Sequence, residues 1–409
     1  MKKQSNTPKI RFHNYKELWE CDDLKNIFGT IRNAFVGTAT PYYVEKGHFY
    51  LESNNVKNGK INYNSQIFIN DEFYEKQRDK WLKTNDIVMV QSGHVGHTAV
   101  IPKELNNTAA HALIVFTDYK KEVNPHFLNY QFQSSSKRKK LDLISTGNTI
   151  KHILASEMKS FKMDFPTVEE QSAIGSLFRT LDDLLTSYKD NLANYQSLKT
   201  TMLSKMFPKA CRTVPEIRLD GFEGEWEVVN LGTLIENYDE VISGTSGFPI
   251  ATSSRKGLYL QNDYFEGGRT GIDLTLDFHR VPIGYVTYRH MSDDSIFKFN
   301  KNNFETDVLV SKEYPVFISN DSSDIDFLLY HLNNSRLFLR FSTMQKLGGT
   351  RVRLYYKNLI TYKIAVPTVK EQQAIGAYFS ILDNLIATHQ EKISQLETLK
   401  KKLLQDMFI

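Results

Sequence analysis

The stretch Phe161–Pro208, FKMDFPTVEEQSAIGSLFRTLDDLLTSYKDNLANYQSLKTTMLSKMFP, returns as Tyr362–Ile409, YKIAVPTVKEQQAIGAYFSILDNLIATHQEKISQLETLKKKLLQDMFI. A constant shift of 201 aligns the two without a gap, and 18 of the 48 positions are identical. A repeat of this quality means that the chain is written twice. Each copy opens on a proline and then Thr167-x-x-Glu170 or Thr368-x-x-Glu371, the pattern of a capping box. Apolar residues follow at three- and four-residue spacing. In the first copy they are Ile174, Leu177, Leu181, Leu184, Tyr188, Tyr195, Leu198 and Met202; in the second, Ile375, Tyr378, Leu382, Leu385, Leu396, Leu399 and Leu403. An adjoining stripe adds Phe178, Leu185, Leu192, Phe379, Ile386 and Ile393. The pattern predicts two long helices with a coiled-coil seam at Ile174, Leu181, Leu184, Leu198, Ile375, Leu382, Leu385 and Leu399, and a widened apolar face. Neither glycine nor proline interrupts them after Gly175 or Gly376, so about 40 residues at ~1.5 Å each predict a rod of roughly 60 Å.

The repeat extends outward. Pro8–Glu20 matches Pro215–Glu227 at a shift of 207, and Phe127–Ser135 matches Phe327–Ser335 at 200. Gly147-Asn-Thr149 matches Gly348-Gly-Thr350 at 201. A matched frame thus surrounds two divergent middles, about 20–155 and 227–357. Within them, Asp86–Pro102 predicts two short strands around a glycine loop, and Gly284–Arg289 predicts the corresponding strand. The segments near 125–135 and 325–335 read as short helices. The expected fold is α+β: two globules of mixed structure separated by two long antiparallel coiled-coil helices, duplicated with pseudo-two-fold symmetry. Antiparallel pairing follows from connectivity, because the second globule leaves the end of one helix and feeds the start of the next. Ile409 then returns toward Met1, and the molecule is nearly circular. The alternative is two tandem domains with unpaired helices. The expected boundaries are 1–160 for the first globule, 161–208 for the first helical spacer, 209–360 for the second globule and 361–409 for the second spacer.

Composition narrows the function. Length alone suggests two to four domains at about 100–200 residues each. No apolar run approaches the ~20 residues of a membrane span; Ile87–Val90 and Leu113–Phe116 read as buried strands. Met1–Lys9 is polar and lacks the apolar region of a signal peptide. Cys21 and Cys211 are too few for a disulfide framework or a cysteine-only zinc site, and read as free thiols of a reducing cytoplasm. A net charge of +4 allows a nucleic-acid partner without demanding one.

Catalytic motifs are missing from the sequence. There is no phosphate-binding G-x-x-x-x-G-K-[ST] loop, no nucleophile elbow and no adenine-methylation tetrapeptide, Asn124-Pro-His being the nearest. His94-x-x-His97 could hold a metal, but its glycine-rich surroundings favour ordinary polar contacts. Glu157-Met-Lys159 has the form of a nuclease motif's tail, as any E-x-K does. Lys137-Arg-Lys-Lys140 is the densest basic run, either a solvated turn or a phosphate-contacting loop. Lys346, Arg351, Arg353 and Lys357 occupy the matching place in the second half. Arg255, Lys256, Gln261, Asn262 and Arg269 suit base edges, although such composition also describes ordinary loops.

The duplicated frame, with PEIRLDGFEGEWEVVNLG at 215–232 and its degenerate copy PKIRFHNYKELWE at 8–20, resembles the specificity subunits of type I restriction–modification enzymes. The resemblance covers essentially the whole chain; His13-Asn14 departs from the Asp220-Gly221 of the second copy. It implies a non-catalytic DNA-binding subunit whose two target-recognition domains each read half of a bipartite asymmetric double-stranded DNA site. The helices would set the gap. Two modification (methyltransferase) subunits would methylate adenine N6, and two restriction (translocase/nuclease) subunits would cleave. S-adenosylmethionine, ATP and Mg²⁺ would belong to those partners, with no cofactor or metal on this chain and a cytoplasmic location. On this reading the DNA-contacting candidates are Thr38, Tyr42, Asn54, Asn55, Gln91, Ser92, His94, Lys137, Arg138, Lys139 and Lys140 in the first half. In the second they are Arg255, Lys256, Gln261, Asn262, Arg269, Arg289, Lys346, Arg351 and Arg353. The competing readings are a duplicated coiled-coil scaffold that does not read DNA and a stand-alone nuclease.

Overall fold

The computed structural model describes residues 7–147, 150–264, 273–346 and 351–409. The chain divides into two compact units, Met1–Lys189 with Glu391–Ile409, and Asp190–Gln390. Mixed helix and strand fills both.

The apolar runs form the sheets. In the first unit, Phe28–Asn33, Leu113–Tyr119, Ile87–Val90 and Thr98–Val100 make an antiparallel four-stranded sheet in that order. Ile87–Val90 and Leu113–Phe116 are wholly buried, as continuous apolar runs require. A second sheet orders Ala109–Ala110, His48–Leu51, Ile67–Ile69 and Tyr43–Val44. The second unit repeats the first sheet's order with Ile235–Tyr238, Val316–Ser319, Val286–Tyr288 and Phe299–Lys301. The expected short helices are Pro125–Gln133 and Ile325–Asn334. A two-stranded ribbon joins the frame in each unit. Glu20 pairs with Phe165 in one, and Glu227 pairs with Val366 in the other.

The long helices are Val168–Lys205 and Val369–Asp406, 38 residues each. The repeated motif at their starts is a docking device. Thr167 Oγ1 accepts from the Glu170 amide at 3.4 Å, but the Glu170 carboxylate does not complete a capping box. It is buried and takes both prongs of Arg11, at 2.8 and 2.7 Å. Glu371 takes Arg218 in the same way, at 2.8 and 2.6 Å. The capping box therefore gives way to a stronger charge-assisted fork. Gln171 accepts from the Asn124 amide at 3.0 Å and donates to the Pro166 carbonyl at 2.9 Å. Gln372 repeats this with Asp324 and Pro367 at the same distances. Asn124 and Asp324 in turn cap the short helices through the amides of Phe127 and Phe327. Gly175 and Gly376 allow this approach: a Cβ would lie 2.9 Å from Asn124 Oδ1 or 2.8 Å from Asp324 Oδ1.

The helix ends close the cores. In the first unit Phe408 packs on Trp19, Phe127 and Phe178, with ring centroids 6.4, 5.6 and 5.7 Å away. In the second, Phe207 packs on Trp226, Phe327 and Phe379 at 6.2, 5.4 and 6.2 Å. Backbone bonds follow suit: the Ile10 amide donates to the Asp406 carbonyl at 2.9 Å, and Ile217 donates to Lys205 at 3.0 Å. Each core thus takes residues from the helix that begins in it and is closed by the helix that ends beside it. The two helix stretches in each unit run in opposite directions. Lys400 and Lys189 pair with Asp182 and Glu397 in the first unit. In the second, Lys199 pairs with Asp383 while Tyr195 stacks edgewise on His389.

The apolar seam needs correction. Ile174, Leu181, Ile375 and Leu382 are buried, and Leu385 is half-buried. Leu184, Leu198 and Leu399 are 42%, 41% and 44% exposed. The buried line runs Ile174, Phe178, Leu181 and Leu185, and the first three pack into their own unit's core. Spacing alone did not show that the globule, as well as the partner helix, claims this face.

Candidate nucleic-acid interface

The glycine loop of the first unit leaves the strand Ile87–Val90 and returns at Thr98. Gly93 and Gly96 adopt φ of +81° and +77°, which glycine meets without steric cost. The loop is tied to its neighbours. The Ile153 amide donates to the Gln91 carbonyl at 2.9 Å, and Gly93 donates to Lys151 at 3.1 Å. Ser92 bridges His152. His94 is exposed and its Nε2 lies 3.2 Å from the Ser53 carbonyl. His97 Nδ1 faces two donors, the Asn58 amide at 3.1 Å and Arg138 Nη2 at 3.2 Å. Burial, then the Arg138 charge, pulls its pKa down to about 4. The His94–His97 pair is a set of loop contacts. Among the described residues no three His, Cys, Asp or Glu side chains are grouped to hold a metal.

Several candidates change role. Lys137 is buried, its amine bound to the Asp164 carboxylate and, at 3.1 Å, to the Lys162 carbonyl. Burial lowers its pKa. It cannot reach a phosphate, because the run lies on the helix Ser135–Ile144 and helical periodicity turns one lysine inward. Arg138 is half-buried on His97, whereas Lys139 and Lys140 are exposed. Asn55 is also buried. Its side chain binds the Glu52 amide and the Asn62 and Ser65 carbonyls at 2.9, 2.9 and 2.7 Å, which leaves no spare edge for a base. Tyr42 stacks flat on Phe73 at 4.2 Å. Thr38 and Asn54 are exposed, and Gln91 and Ser92 are half-buried.

The pattern reading missed a basic cleft of about 740 Å³ in this unit, lined by Lys57, Lys60, Arg138, Lys189, Lys400 and Lys401 beside Asp182 and Glu397. Lys57 and Lys60 flank the turn Asn58-Gly59, whose φ values are +52° and +82°. Asn-Gly between two short runs is a hairpin signal that could have placed both lysines side by side.

In the second unit, strands Ala251–Ser254 and Gly257–Leu260 pair so that Arg255 and Lys256 form the turn. These two, Arg289 and Asp294 line a cleft of about 770 Å³. Arg351 reaches Asp293 at 2.9 Å, and Arg353 is exposed on a strand paired with Met291. Gln261 and Asn262 sit on the short helix Gln261–Tyr264, and Lys346 is exposed. Arg269 and the Gly348–Thr350 loop lie outside the described residues, as do Asn148 and Thr149.

Two stretches, 39–194 and 247–398, match the family model of the type I restriction modification DNA specificity domain. The two matched stretches are those of a duplicated DNA-specificity protein. The chain belongs to the family of type I restriction–modification specificity subunits. It is 23% identical to a putative type I restriction enzyme specificity subunit, MjaX, of Methanocaldococcus jannaschii over 98% of this chain and 95% of that one. It is 24% identical to the EcoBI specificity subunit of Escherichia coli over 49% of this chain and 44% of that one. The crystal structure of the S subunit of the type I system from M. genitalium superposes with a TM-score of 0.61 at 15% identity, covering 98% and 99% of the two chains. No helix among the described residues is long and apolar enough to cross a membrane.

Proposed function

We propose that this chain is the non-catalytic reader of a cytoplasmic type I restriction–modification complex. Residues 1–160 and 209–360 each read one half of a bipartite, asymmetric site in double-stranded DNA. Residues 161–208 and 361–409 pair as an antiparallel coiled coil between the two readers and set the gap. Two modification subunits supply S-adenosylmethionine-dependent adenine-N6 methylation. Two restriction subunits supply ATP- and Mg²⁺-dependent translocation and cleavage. The observation that carries this reading is the doubled frame. The same Arg–Glu fork, Gln latch and aromatic plug hold each unit, while the surfaces between them differ in sequence. Solvent-facing Lys139, Lys140, Arg255, Lys256, Arg289 and Arg353 are the groups offered to DNA.

Methylomes of host DNA with and without this gene test the reading. One bipartite motif is expected to vanish with the gene. Replacing residues 20–155 with the corresponding segment of another specificity subunit should change one half-site and leave the other. A change in both halves, or in neither, would refute the two-reader model. The purified chain with S-adenosylmethionine and DNA should transfer no methyl group; transfer by the chain alone would refute a non-catalytic role.

A further inference from the structure

The turn at Arg255 is held more firmly than a surface loop needs to be. Asn300 is buried beneath it and donates to Ser253 Oγ at 2.8 Å and to the Ser254 carbonyl at 2.9 Å. Ser254 Oγ accepts from the Lys256 amide and donates to the Gly257 carbonyl, both at 3.1 Å. Arg255 then projects over the cleft and donates from Nη1 and Nη2 to the two oxygens of Asp294, at 2.8 and 2.5 Å. Asp294 is itself fixed. Its Oδ1 accepts from Ser292 Oγ at 2.9 Å and from the Ile296 amide at 3.2 Å. Arg255 and Asp294 side chains are 57% and 46% exposed, so the pair contributes little to stability. Its physical effect is to orient the guanidinium.

An arginine has five N–H donors in a planar fork. Asp294 takes two, which leaves Nε–H and the outer Nη–H groups unspent on a side chain that lines the open cleft. Guanine presents two acceptors, N7 and O6, at the spacing such a fork meets in the major groove. We propose that Arg255, oriented by Asp294, reads a guanine in the half-site recognised by residues 209–360. Arg255 is the specificity-determining residue and Asp294 is a positioning residue. This inference rests on the two-reader function above.

The test begins with the wild-type methylome and the exchange of residues 20–155, which together identify the half-site of residues 209–360. Absence of any bipartite motif dependent on the gene would remove the two-reader function itself. A motif whose second half lacks guanine would overturn only the present assignment. With the half-site known, the assembled complex is titrated with duplexes carrying 7-deazaguanine, which lacks the N7 acceptor, at each guanine in turn. At one position wild-type binding should weaken about ten- to a hundredfold. Arg255→Ala should abolish that sensitivity, and its methylome should become degenerate at the same letter while the other half-site and the gap stay fixed. Equal weakening on cognate and unrelated DNA, with the guanine preference intact, would make Arg255 a phosphate contact and overturn the proposal. Asp294→Asn retains the arginine and should narrow the guanine preference at that letter alone. An unchanged preference would overturn the role of Asp294.

Discussion

Arg11 and Glu170 illustrate how one residue pair carries a unit. Glu170 is fully buried, and its Arg11 partner is only 12% exposed at the side chain. Removing Arg11 leaves a charge without compensation in the interior. Arg11→Ala should therefore cost about 3–5 kcal/mol, and Arg218→Ala should do the same through Glu371. Chemical denaturation of each variant measures it; a loss below 1 kcal/mol would contradict the buried fork. Two histidines add a pH dependence. Burial pulls both His97 and His331 down to about 4, below the ordinary ~6.5. As pH falls, the unfolded chain takes up these protons first. Their contribution is complete above about 6.5 and is lost progressively toward 4. The melting temperature should fall between pH 7 and 5, and the double variant His97→Gln, His331→Gln should show a shallower slope. An unaltered slope would show that neither histidine is held neutral by the fold. At this scale the sequence read poorly: Lys137 and its neighbours Lys139 and Lys140 look alike as letters, but only the helix phase turns one of them onto Asp164.

At the scale of elements, the frame motif is an assembly of contacts rather than a helix signal alone. The pattern P-T-V-x-E-Q-x-A-I-G was legible as a helix start. Its glutamate serves Arg11 or Arg218, its glutamine serves a neighbouring helix cap, and its glycine makes room for that cap. Gly175→Ala should drive a methyl into Asn124 Oδ1 and destabilise the first unit by about 1–3 kcal/mol. A thermal melt in which this variant equals the wild type would mean that the two helices can separate at no cost. The plugs are a stronger test. Phe207 and Phe408 are buried among aromatic rings, and each change to Ala should cost about 3–5 kcal/mol. Loss of one plug should expose amide protons in its own unit first, as hydrogen exchange would record.

For the whole molecule, the proposed coiled coil makes a prediction about DNA. A Thr-Leu-Glu-Ala insert after Asn194 adds about one turn, or roughly 6 Å at ~1.5 Å per residue, against ~3.4 Å per base pair. The gap between half-sites should grow by about one or two base pairs while both halves keep their letters. The insert perturbs the apolar stripe locally, and the unpaired partner residues should lower affinity. Methylome sequencing of the insertion strain reads the gap directly. An unchanged gap would place the ruler in the partner subunits or in DNA bending.

The sequence by itself determined the duplication, the two long helices, their start at Thr167 and Thr368, the buried strands Ile87–Val90 and Leu113–Phe116, and the family. These depend on periodicity, identity at fixed spacing and continuous apolar runs, which are local properties of the chain. Only the tertiary structure decided which basic and polar residues face solvent, that Asn55 and Lys137 are internal, that Leu184, Leu198 and Leu399 are exposed, and that Lys57 and Lys60 share a cleft with Lys400 and Lys401. It also decided that Phe408 seals the core begun by Trp19, and Phe207 the core begun by Trp226. The physical reason is that burial and electrostatic pairing depend on what approaches a side chain from elsewhere. A buried amine is stable only where a distant carboxylate meets it, and one letter string cannot show which segments will be adjacent once the chain has folded.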